Sequence, residues 1–235
     1  MVVFGQDQKV KLRDLNASPP EVSATLLDKC PLLSRVAFSR DGRRMAIANY
    51  YGYGIYVWNL PLEDRPELLP QPGTESKLPC IKLPVKFPHW HLAISPNGRW
   101  LAAAGRVDKI RLWDLEAEDP IETLVELQGG VTPAGMRFDP QNRFLVSVQH
   151  EVVRLWKLDG EQVDPQPTTM IKWPEKITRL RVSADGKWAG IICMDRAEVK
   201  LLRIDEHGTF SRPHDWALPH ERVHDIAFGN TGRWL

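Results

Sequence analysis

Three cysteines in 235 residues, Cys30, Cys80 and Cys193, are too few and too far apart for a disulfide framework. None belongs to a Cys-x-x-Cys pair, so the spacing of a zinc site is missing as well, and the usage fits a reducing cytosol. No apolar run approaches the roughly 18 residues of a membrane span. The N-terminus lacks the basic-then-apolar pattern of a secretory signal. Formal net charge is +1, with no basic block and no acidic tail, so neither nucleic acid nor an anionic membrane is expected as a partner. A Gly-rich phosphate loop and a Gly-x-Ser-x-Gly elbow are both absent. Carboxylates are scattered, without a pair recurring at a spacing suited to acid/base work. No cofactor is expected.

Tryptophan and proline, by contrast, are abundant, at nine and nineteen residues. The informative stretch is Leu92 to Leu115, LAISPNGRWLAAAGRVDKIRLWDL, in which three short apolar runs are separated by Asn97-Gly98 and by Gly105-Arg106-Val107-Asp108. Each run is too short for a helix, and Asn-Gly tolerates the positive φ of a tight hairpin turn, so the stretch predicts a three-stranded meander. The turn recurs as SRDGR at Ser39–Arg43, DPQNR at Asp139–Arg143, SADGK at Ser183–Lys187 and GNTGR at Gly229–Arg233, in steps of 56, 44, 44 and 46 residues. The third run recurs as VKLRDL, YVWNLP, IRLWDL, VRLWKL and VKLLRI. A period in the forties with four strands per repeat is the signature of a β-propeller.

Trp113-Asp114 closes a strand, with Trp113 fifteen residues after the glycine of a Ser-x-Asn-Gly-x turn, and in this the chain resembles the WD-repeat family of β-propellers. Trp58-Asn59 and Trp156-Lys157 keep the tryptophan without the acid, Arg13-Asp14 keeps the acid alone, and Leu202-Arg203 has neither. Of the family's Gly-His pair only Pro219-His220 is a vestige, so its internal Asp–His–Ser–Trp network is not expected in any blade.

Taken in order, the chain reads as one all-β domain: a partial blade over 1–30, repeats over about 35–83, 91–127, 135–173 and 178–218, and a partial blade over 223–235. Met1–Gly5 aligns with a second strand, Val10–Leu15 with a third and Thr25–Leu27 with a fourth. The second strands (MAIAN, WLAAAG, FLVSV, WAGIIC) are almost continuously apolar, as strands covered on both faces are. Pro61–Pro84, with six prolines, reads as an insertion on one face and accounts for the 56-residue step. The partial blades at the two ends are compatible with a five-bladed ring or with a fragment of a larger, seven-bladed propeller, the reading favoured here. An open fragment would expose unpaired blade faces and self-associate.

His220-Glu221-Arg222-Val223-His224 matches the His-Glu-x-x-His pattern of zinc proteases, but that chemistry needs one helical face. Pro219 precedes the motif and a strand comes directly after it. Two histidines four apart on a strand lie about 13 Å apart, too far to share a metal. His89-Trp90-His91 reads as a loop entering a first strand, and His214-Asp215 as a proline-flanked loop. Trp58, Trp113 and Trp156 read as core. No catalytic, cofactor or metal residue is assigned.

The resemblance implies that residues just before each first strand lie near the central opening of one face, where partners of this family dock. Those are Arg35, Trp90, His91, Arg179, His224 and Asp225, with arginine and tryptophan favoured in interfaces. Tyr50–Tyr53 and Pro61–Pro84 form a second candidate surface. The expected function is a non-enzymatic scaffold or sensor module for a protein or peptide partner, part of a larger cytoplasmic protein. The alternative is a propeller hydrolase or lactonase with a central metal held by His224, Asp225 and His91.

Overall fold

The computed structural model describes residues 2–4, 8–13, 22–27, 33–49, 54–60, 78, 80–86, 89–129, 134–158, 162–193, 199–216, 223 and 225–229. Most of Pro61–Pro84, Tyr50–Tyr53, His220–Arg222, His224 and the end of the chain from 230 lie outside these. The first sheet comprises β1 (Val2–Phe4), β2 (Val10–Arg13) and β3 (Val22–Leu27). The second is β4 (Leu33–Phe38), β5 (Arg44–Asn49), β6 (Ile55–Asn59) and β7 (Cys80–Leu83). The third is β8 (His89–Ile94), β9 (Trp100–Gly105), β10 (Lys109–Asp114) and β11 (Val125–Gln128). The fourth is β12 (Gly135–Phe138), β13 (Phe144–Gln149), β14 (Val152–Lys157) and β15 (Thr169–Lys172). The fifth is β16 (Ile177–Val182), β17 (Trp188–Cys193), β18 (Val199–Ile204) and β19 (Phe210–Trp216). Every sheet is an antiparallel meander in chain order, and the described helix is one 3-10 turn, Pro120–Thr123.

The sheets stack in sequence, each pair enclosing its own apolar layer. Alternation along the second strands divides their side chains between two layers. In β5, Met45 and Ile47 face the first sheet, while Ala46 and Ala48 face the third. In β9, Leu101 and Ala103 face the second sheet, and Trp100, Ala102 and Ala104 the fourth. Phe144, Val146 and Val148 of β13 meet Ile177, Leu180 and Ile191 of the fifth sheet. Trp58, Trp113 and Trp156 each pack onto the preceding sheet, and Leu202 takes that place in the fifth. The indole Nε1 of Trp156 donates to the carbonyl of Pro165 at 3.3 Å instead of joining a side-chain network.

Several boundaries differ from the sequence reading. His89-Trp90-His91 belongs to β8, which extends the first strand upstream of the expected loop. Cys80–Leu83, inside the proline-rich stretch, forms the outer strand β7, because Pro79 and Pro84 flank it and an edge strand needs donors on one side only. His214-Asp215 lies in β19, where Pro213 is tolerated at a bulged outer edge. Val223 and residues 225–229 enter no ladder; Ile226 and Val223 instead cover Ile192 and Val199 on the open face of the fifth sheet.

The recurring turn is longer than a two-residue hairpin. Ser95 N–H donates to the Trp100 carbonyl at 2.8 Å, and only Gly98 (φ 84°) is left-handed. Asn97 keeps negative φ because its Oδ1 accepts the Ser95 hydroxyl at 2.7 Å and the Arg99 N–H at 3.1 Å. The fourth sheet solves the same turn with other residues. Asn142 (φ 63°) takes the glycine position. Buried Asp139 replaces the serine and accepts the Arg143 N–H, Nε and NH2 at 3.0–3.1 Å. Turns of neighbouring sheets are also bonded: Arg44 NH1 to the Gly98 carbonyl at 2.9 Å, Asn97 N–H to Asn142 Oδ1 at 2.9 Å, and Arg143 NH2 to the Gly186 carbonyl at 3.3 Å.

The layers and the turns can each be probed by substitution. Trp156→Ala, emptying the layer between the third and fourth sheets, lowers unfolding free energy by about 3–5 kcal/mol in urea denaturation. Asn142→Ala is the more damaging of two changes at its site, costing about 1 kcal/mol more than Asn142→Gly, since both lose the bond to Asn97 and only alanine resists left-handed backbone.

Candidate functional site

The sheets approach one another most closely along their first strands, where β4, β8, β12 and β16 lie side by side. Counting back from each turn, Arg35, His91, Gly135, Arg179 and Asp225 occupy one equivalent position. In three of the strands this residue comes just after a register shift: Leu33 pairs with Asn49 and Arg35 with Ala48, His89 with Gly105 and His91 with Ala104, Ile177 with Cys193 and Arg179 with Ile192. Ser34, Trp90 and Thr178 are the extra residues of these bulges. A bulge twists its strand and re-aims the next side chain. Ser34 Oγ donates to the His89 carbonyl of the next sheet, and Thr178 Oγ1 donates to the Ile192 carbonyl at 3.2 Å. β12 carries no such shift, and its glycine has a packing reason: a Cβ at Gly135 would come within 3.0 Å of the Leu180 Cβ.

Two residues further along, on the same face by the period of a strand, stand Ala37, Ala93, Arg137 and Arg181. Arg137 and Arg181 were not singled out from the sequence; repeat alignment at this second position is the signal that finds them. The guanidinium groups share a posture, each NH1 donating to the carbonyl of the preceding residue. The distances are 2.9 Å for Arg35, 2.8 Å for Arg137, 3.0 Å for Arg179 and 3.1 Å for Arg181. Arg181 NH2 also pairs with Asp225 Oδ2 at 2.8 Å.

These groups feel one another across strands. Burial, then the charges of Arg35 and Arg137, push His91 down to about 4, so it is neutral at physiological pH. Burial and the charge of Arg181 push Arg137 below its usual value, partly offset by Asp225. The Ile226 N–H, donated to Asp225 Oδ1, and the charges of Arg181 and Arg179 hold the Asp225 carboxyl below the usual range. The structure therefore joins Arg35, His91, Arg179 and Asp225 in one field and adds Arg137 and Arg181. Trp90 is placed at a bulge beside them, and His224 lies outside the described residues.

This field disfavours the metal-hydrolase alternative. Asp225 is engaged by an arginine, and His91 sits between two cations that oppose a third. Among the described residues no three of His, Cys, Asp and Glu stand close enough to hold a metal ion. Two clefts of about 620 and 720 Å³, one lined by Arg143, Arg203 and His207 and the other by Trp100, Asp114 and Gln162, include none of the first-strand residues.

His91 gives a pH signature. Its folded-state affinity for a proton is reduced, so the stabilisation is present above about pH 6.5 and is lost as pH falls towards 4, where only the unfolded chain takes up the proton. Urea unfolding at pH 7 and pH 4.5 is expected to show His91→Gln less acid-sensitive than the native chain, by on the order of 1 kcal/mol after allowance for solvent screening.

Comparison with known proteins agrees with the repeat architecture. Residues 85–114, which span β8 to β10, match the family model "WD domain, G-beta repeat". The chain is similar to Protein LST8 homolog of Drosophila melanogaster, 24% identical over 166 residues, covering 68% of this chain and 48% of that protein. It is also similar to WD repeat-containing protein 26 homolog of Arabidopsis thaliana, 23% identical over 119 residues, covering 50% of this chain and 19% of that protein. The chain thus spans about half, or less, of the curated relatives it matches. With five stacked antiparallel meanders, the tryptophan-bearing third strands and the repeat matched at residues 85–114, this chain carries a WD repeat within an architecture similar to that of WD-repeat β-propellers.

Proposed function

We propose that the chain is a non-enzymatic interaction module that receives a protein or peptide on the face of its first strands, as a scaffold or sensor within a larger cytosolic protein. One observation carries this reading: a bulge repeated in β4, β8 and β16 presents Arg35, His91 and Arg179 at equivalent places on adjacent strands. A purely structural strand has no use for that repetition, since a bulge forfeits ladder pairing. The WD repeat matched at residues 85–114 and the similarity to a WD repeat-containing protein support a binding role in general terms. Arg35 and Arg179 are exposed and able to bury area while donating several hydrogen bonds, as interface anchors do. Among the described residues no constellation of nucleophile, base and oxyanion donors is built around them.

The reading is tested by photo-crosslinking. A benzophenone amino acid placed at position 35 or 179 is expected to capture a discrete partner polypeptide from cell extract. The same group at Met170, which is exposed on the outer strand β15, is expected not to do so. Equal labelling from all three positions, or none from 35 and 179, would count against the assignment of this face.

A further inference from the structure

We propose that the first-strand face selects a carboxylate-rich segment of a protein partner, seating separate aspartate or glutamate side chains on the guanidinium groups of Arg35, Arg137, Arg179 and Arg181. The proposal rests on the interaction reading above and supplies its chemistry. The chain as a whole carries a net charge of only +1. On this face four arginines stand against one described carboxylate, Asp225, so cationic charge is concentrated where the strands converge. Among the described residues no carboxylate lies within ion-pair distance of Arg35, Arg137 or Arg179, whereas Arg99, Arg111 and Arg143 elsewhere in the repeats are each paired with an acid. Four like charges gathered around a single counter-charge, Asp225, repel, and an anionic ligand relieves that repulsion.

The tethers narrow the ligand further. Each guanidinium donates one N–H to its neighbouring carbonyl, which fixes the head on its own strand and leaves most of its five donors available. Four heads held apart on three sheets suit several single carboxylates along an extended chain. A compact dianion such as phosphate needs the donors gathered at one point. His91, neutral among them, contributes a donor or acceptor without adding charge.

The test is fluorescence anisotropy with the full chain and a labelled peptide of roughly ten residues in which glutamate alternates with glycine, so that successive carboxylates face one way. Binding is expected at low salt and is expected to weaken steeply as ionic strength rises. A glutamine-for-glutamate peptide is expected not to bind. Arg137→Gln and Arg179→Gln each reduce affinity by about tenfold, and Arg203→Gln, exposed on β18 away from this face, leaves it unchanged. Circular dichroism melts check that the variants fold, and Arg137→Lys, which keeps the charge, should recover part of the loss. No binding of the glutamate peptide, binding indifferent to the two arginine variants, or displacement by equimolar inorganic phosphate or duplex DNA would each overturn the proposal. Crosslinks at 35 and 179 without peptide binding would leave the interaction face standing and remove its acidic specificity; failure of both removes both.

Discussion

The constraint on which everything else depends is that no sheet of this protein can shield both of its own faces. A second strand such as β9, with Leu101 and Ala103 on one side and Ala102 and Ala104 on the other, is apolar all round and finds cover only between two neighbours. Tryptophans of the third strands fill the same layers. Each layer is therefore shared property, and a repeat removed from the stack would expose apolar surface on two others. Residues 223 and 225–229 illustrate the demand, for Ile226 caps a face that no described ladder covers.

The polar bonds that tie one sheet to the next are made at the ends of the strands. The Ser/Asp-x-x-Gly/Asn turns satisfy their own backbone donors with short side chains and then reach across to the next sheet, as Arg44 does to Gly98 and Asn97 to Asn142. Apolar layers are indifferent to small sliding, whereas a directional bond at a turn is not. The turns thus set how one sheet is registered on the next. The first-strand arginines stand two to four residues before these turns, Arg137 and Arg181 nearest to them, so the geometry of the candidate site inherits its order from the turn bonds.

Much of this was legible in the residues. The recurrence of turn and tryptophan strand identified the repeats, and continuous apolar runs such as FLVSV marked strands covered on both faces, as β13 is. What escaped was set by neighbours in space. Proline discouraged reading Cys80–Leu83 and His214-Asp215 as strands, yet both lie at outer edges, where one row of donors goes unused. Asn97-Gly98 suggested a tight mirror-image turn, but a side-chain bond from Ser95 holds Asn97 in ordinary backbone. In the site, Arg35, His91, Arg179 and Asp225 were expected just before the first strands, one position per repeat, and the structure places the first three inside β4, β8 and β16. Arg137 and Arg181 were missed because the count stopped at one position and ignored the side chain two residues on. A net charge of +1 concealed a local excess, since totals carry no information about placement.

The bulges at Ser34, Trp90 and Thr178 have an evolutionary corollary. A residue held just past an irregularity answers neither to the apolar layers nor to the full hydrogen-bond pattern of its strand, so its identity is loosely coupled to folding. Arginine follows the bulges of β4 and β16 here, and histidine that of β8. A scaffold with such positions can exchange recognition chemistry one repeat at a time while its architecture stays unchanged.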